Sequence, residues 1–165
     1  MRWLRFAVLV IVTTIFQTSL VDIIAVTSSN IKPDLLLVLL VFFAVHLSNI
    51  DAVITSFIIG FAADIISPTM GPQIISFGLF GTLLADLHGV IAIKKWSYQT
   101  LAIFVIGLLT AALVHFLVFL KSESMPSDTY TKLFWTPLYS AIIGPFFFLP
   151  VESWMRTKKR RIRRF

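Results

Sequence analysis

Ionisable side chains inside apolar runs are where chemistry would have to reside in this sequence, because a charge in hydrocarbon is costly unless it is paired or hydrogen-bonded. Asp64 lies in Ser56-x-x-x-Gly60-x-x-Ala63-Asp64-x-x-Ser67, where Ser56, Gly60 and Ala63 recur at helical spacing and share one face. So narrow a stripe of small residues permits close approach of a second helix and places Asp64 at a packed seam instead of in lipid. Two roles are open to its carboxylate: a hydrogen bond to the end of a neighbouring helix near one surface, or contact with a ligand or partner. Asp86 sits in a similar stripe of Gly78, Thr82, Ala85 and Gly89. Successive membrane helices run antiparallel, so Asp64 and Asp86 fall toward opposite surfaces and are not expected to form a catalytic pair. His115 shares a face with Gly107 and Ala111, as suits a histidine that hydrogen-bonds between helices. Asp34 follows Pro33 at the head of an apolar run.

Other chemistries lack their residues. The chain has no cysteine and no Gly-x-Ser-x-Gly nucleophile turn. It has no glycine-rich phosphate loop and no His-x-x-x-His pair of the kind that binds zinc. The expectation is a protein without catalytic residues, metal or cofactor.

The elements that must position these groups follow from composition. The chain has 165 residues, 58% hydrophobic and only 13% charged, with mean hydropathy +0.92, which excludes a soluble domain. A membrane helix needs about 20 apolar residues, so six spans and their connections exhaust the length. Apolar runs over roughly 4–26, 34–48, 51–67, 73–93, 99–120 and 133–154 predict an all-α integral membrane protein with a six-helix transmembrane domain over 1–155 and a basic tail over 156–165. The first run, behind Arg2 and Arg5, is long for a signal peptide and carries Gln17 and Asp22, so it is read as a retained helix. Leu47 to Asp51 makes a tight hairpin between the second and third runs, and the second run is short for a full crossing. Pro33 is expected at the first turn of its helix, where its missing N–H costs nothing.

Charge sets the orientation. Of the fourteen Lys and Arg residues, a cytoplasmic N-terminus would keep eleven inside: Arg2, Arg5, Lys94, Lys95 and the seven of the tail. Only Lys32, Lys121 and Lys132 would lie outside, so both termini are expected in the cytoplasm. Asp22, Lys32, Asp34, Asp64 and His115 then sort to the outer end, and His46, Asp51, Asp86, His88 and Glu152 to the inner. The tail residues Lys158, Lys159, Arg160, Arg161, Arg163 and Arg164 read as an anchor to anionic lipid, not as a nucleic-acid site.

At Lys32-Pro33-Asp34-Leu35-Leu36-Leu37, then a short hairpin, then Gly60-Phe61-Ala62-Ala63-Asp64-Ile65-Ile66-Ser67, the chain resembles the MreD family of bacterial rod-shape-determining membrane proteins. Gln17-Thr18-Ser19-Leu20 and Met70-Gly71 extend the resemblance. The hairpin tip departs from it by lacking the Arg or Lys that many relatives carry. The resemblance implies a non-enzymatic inner-membrane component of the cell-wall elongation machinery, one that binds the single-span periplasmic protein MreC. Through it, the chain would join the MreB filament and peptidoglycan synthases. The family is also similar in its six-helix bundle to substrate-binding subunits of energy-coupling-factor transporters, which makes capture of a vitamin-like molecule the alternative. Asp34, Ser56, Gly60, Ala63, Asp64, Asp86 and His115 are the residues expected to serve partner binding or helix packing. The outer stripe of Ser56, Gly60 and Ala63 is the expected docking place for a foreign helix.

Overall fold

The computed structural model describes residues 3–19, 32–67, 70–88, 96–121 and 129–155. They form six α-helices: α1 (Trp3–Ser19), α2 (Leu35–His46), α3 (Asn49–Ile66), α4 (Pro72–His88), α5 (Trp96–Lys121) and α6 (Thr129–Met155). Each apolar run of the sequence yields one of them. Asp22, Pro68, Gly89, Lys94, Lys95, the centre of the loop between α5 and α6 and the tail cations Lys158, Lys159, Arg160, Arg161, Arg163 and Arg164 lie outside the described residues.

The bundle is a membrane-type helical assembly with unequal members. Segments of α3, α5 and α6 are long and apolar enough to cross a bilayer, whereas α1, α2 and α4 are shorter apolar helices. The second run, read from the sequence as short for a full crossing, gives the shortest of the described helices, α2. Its 12 residues rise about 18 Å, at 1.5 Å per residue, well short of a hydrocarbon core of about 30 Å. Leu35 through Val45 are all buried, and the helix packs against each of the other five. A helix that is apolar all round is a core element, and α2 is the axis around which the others assemble. Pro33 precedes this helix instead of opening it: Asp34 is the N-cap, its carboxylate accepting from the Leu37 N–H at 3.0 Å. The N1 role expected of a proline is taken by Pro72, the first residue of α4.

Contacts between helix ends define the direction of each element. Arg5, near the start of α1, donates to the carbonyl of Trp154 near the end of α6. The His46 ring, at the end of α2, stacks on Phe42 and meets Phe148 of α6 edge-on. Asn49, opening α3, donates to Asp86 near the end of α4. At the opposite end, Gln17 of α1 reaches the start of α2, Asp64 of α3 reaches the start of α4, and Lys121 of α5 donates to the Met70 carbonyl. The chain therefore traverses the bundle in alternating directions, with the start of α1 and the end of α6 side by side.

Hydroxyls inside the bundle satisfy themselves locally. Thr14, Ser56, Ser76, Thr82 and Ser140 each donate to the carbonyl four residues back, the usual resort of Ser and Thr in an apolar helix. Pro137, Pro145 and Pro150 lie within α6, where each removes a backbone donor.

Candidate functional site

The polar residues of the bundle converge where two helices begin in its interior. An α-helix leaves its first four N–H groups without intrahelical partners, and in an apolar surrounding each must be met by some acceptor. For α4 that acceptor is Asp64. Its Oδ1 takes the Gln73 N–H at 3.0 Å and its Oδ2 the Ile74 N–H at 2.9 Å. The carboxylate is 4% exposed. Two charge-assisted bonds and the positive end of the α4 dipole offset its desolvation.

For α2 the donors and acceptors come from three helices. Asp34 caps the Leu37 N–H, while its own N–H donates to Ser140 Oγ of α6 at 2.7 Å. Ser140 Oγ in turn donates to the Thr136 carbonyl at 2.8 Å. Gln17 of α1 clasps the same turn from the other side. Its Nε2 donates to the Pro33 carbonyl at 3.2 Å and its Oε1 accepts from the Leu35 N–H at 2.9 Å. One amide side chain thus pairs with backbone on both sides of the cap, as a neighbouring strand would. Ser140 lies eleven residues into α6, about 16 Å along its axis, so Asp34 sits deeper in the bundle than its place beside a loop suggested.

Between these two capped ends lies a cavity of about 160 Å³ lined by Asp34, Gln73, Thr110, His115 and Thr136 with apolar neighbours. His115 Nδ1 donates to the Ala111 carbonyl at 2.6 Å, so the histidine bonds within its own helix, not across to another as expected. Thr110 Oγ1 is the buried side-chain polar atom, among the described residues, without a protein hydrogen-bond partner. Asp34 and His115, read from the sequence as separate features, share this cavity. The sequence reading gave no site role to Gln17, Gln73, Thr110 or Ser140.

The small-residue stripe is occupied from within. A Cβ on Gly60 would come within 2.8 Å of the Ile74 Cα and 3.2 Å of the Gln73 carbonyl oxygen, so the backbone of α4 rests directly on it. Ser56 and Ala63 are buried beside it. The face of α4 opposite Ser56 presents Gly81, and Gly78 meets the Phe57 ring. Of the two roles expected of Ser56, Gly60 and Ala63, helix packing or a partner's docking, the structure shows the first at Gly60, where this chain's own fourth helix fills the seam. Asp86 is exposed at the other end of the bundle, accepting from Asn49 at 3.3 Å, and does not join Asp64.

Among the described residues no group of three or more His, Cys, Asp or Glu is placed to hold a metal ion. The arrangement donates, accepts and caps: its polar atoms are spent on beginning two helices inside an apolar interior.

The family model described as rod shape-determining protein MreD matches residues 1–158 of the chain. No curated protein matches, and no solved structure does, so the likeness to energy-coupling-factor subunits rests on no matching structure.

Proposed function

The chain belongs to the rod shape-determining protein MreD family, and from that premise we propose that it is a non-enzymatic inner-membrane subunit of the cell-wall elongation complex. In this reading it binds MreC within the membrane and, through the wider assembly, works with MreB and peptidoglycan synthases to maintain the rod. The observation that carries the reading is the family match across nearly the whole chain. The capping geometry supports it, because Asp34, Asp64 and Gln17 hold helix ends where an enzyme would aim such groups at a substrate. The cavity of about 160 Å³ is smaller than the roughly 300–1,000 Å³ of small-molecule sites, which weighs against capture of a vitamin-like ligand.

With Ser56, Gly60 and Ala63 covered by α4, the partner's helix would pack on an outward face of the bundle. Depletion from a rod-shaped host should give rounded cells, and MreC should co-purify with the tagged protein in mild detergent. Cells that stay rod-shaped but take up a vitamin poorly would sink this reading.

A further inference from the structure

A groove of about 270 Å³ runs between α1 and α6, lined by Val8, Val12 and Phe16 on one side and Phe147, Pro150 and Trp154 on the other. Apart from Thr13, its lining side chains are apolar. Arg5 sits at one mouth, its Nη1 donating to the Trp154 carbonyl at 3.4 Å, and the half-exposed Trp154 indole lies beside it. From Trp154 the sequence passes within two residues to Arg156, the first of seven closely spaced cations.

Dimensions and chemistry select the occupant. From Arg5 to Phe16 is eleven residues of α1, about 16 Å along the helix, which is close to one leaflet of a hydrocarbon core about 30 Å thick. A partner helix crossing the membrane would need a seam through both leaflets, and close packing would need small residues, of which this lining has Thr13 alone. A flexible acyl chain conforms to Val, Phe and Pro surfaces and ends at leaflet depth. At the mouth, a guanidinium matches a phosphate in geometry and charge, and a tryptophan suits the headgroup level. We propose that this groove binds one anionic phospholipid, an acyl chain lying between α1 and α6 and the phosphate held at Arg5. The inference rests on the membrane setting of the chain and is independent of the partners proposed above.

The test uses the full chain with Trp3, Trp96 and Trp135 each changed to Phe, so that Trp154 alone reports. In mixed micelles, phosphatidylglycerol with brominated acyl chains should quench Trp154 saturably, at about tenfold lower mole fraction than brominated phosphatidylcholine, as one added charge-assisted contact warrants. Arg5→Gln should bring the two curves together, and Arg5→Lys should keep most of the difference. Val12→Phe, at a position already 44% exposed, should weaken quenching by both lipids by filling the groove. Equal quenching by the two lipids in the unchanged protein, a preference that survives Arg5→Gln, or a Trp154 that neither lipid quenches would each overturn the assignment.

Discussion

Both oxygens of Asp64 are engaged by consecutive amides of α4, which makes the consequences of substitution graded. Asn keeps one acceptor and turns an NH2 toward the other N–H. Leu leaves both N–H groups buried without acceptors. A hydrogen bond to a charged group contributes about 1.5–3 kcal/mol, so Asp64→Asn should cost on that order and Asp64→Leu more, read as successive drops in the detergent melting temperature of the purified protein. Equal melting of the Asn and Leu variants would show that the carboxylate has another task. Gln17 offers an independent check, because its amide both donates and accepts. Gln17→Glu preserves the acceptor for Leu35 and loses the donor to Pro33, whereas Gln17→Leu loses both. The Leu variant should be the less stable in the same melt, by about 1–3 kcal/mol for the unmet backbone groups; indistinguishable variants would mean that water reaches this turn. None of these pairings could be read along the chain. Asp64 and Gln73 are separated by a loop and Gln17 and Leu35 by a longer segment, so which donor meets which acceptor is decided only when the helices assemble.

How helices meet explains both what the sequence disclosed and what it withheld. The six apolar runs appear as six helices because in hydrocarbon no other open structure satisfies the backbone, and the hairpin of α2 and α3 follows from its short connection. The second run was legible as short for a full crossing, but where α2 begins was hidden. Its apolar composition continues through Leu47, and its start is set by the Asp34 cap with Ser140 and Gln17, which are tertiary facts. The Ser56, Gly60 and Ala63 stripe was legible as a seam for close packing, but small residues do not say which helix they receive. The answer, α4, yields a sharp expectation. Gly60→Ala forces a Cβ against the Ile74 Cα and Gln73 carbonyl, backbone atoms that yield only if α4 moves. Overpacking of this kind costs typically about 1–3 kcal/mol, so the variant should melt lower even when purified alone. By contrast, an Ala at exposed Met70 should leave the melt unchanged within about 0.5 kcal/mol. If Gly60→Ala melts normally yet loses MreC in pull-downs, the seam belongs to a partner and the α3–α4 packing is misplaced.

For the molecule as a whole, the direction of the chain through the bundle determines how many times it crosses a membrane. Among the described residues only α3, α5 and α6 contain windows of spanning length and hydropathy, yet three passages do not reconcile the end contacts. The end of α3 and the end of α5 lie together through Asp64, Met70 and Lys121, so α4 must return the chain between them. Likewise α1 runs from the Trp154 end to the Gln17 clasp, and α2 runs back to the short hairpin that opens α3. Six alternating passages along the bundle result among the described helices, in keeping with the contact that joins the start of α1 to the end of α6. Arg5 lies at the end marked by that contact, the sequence continues from Trp154 into seven cations, and positive charge is by rule retained in the cytoplasm. Single cysteines introduced by Ser127→Cys and Phe165→Cys in this cysteine-free chain should therefore behave oppositely in intact cells. An impermeant maleimide added outside should label the first, whereas the second should react only after the inner membrane is opened. Labelling of both from outside would mean that α6 does not cross between them, and the alternating bundle would then not be the state that resides in the membrane.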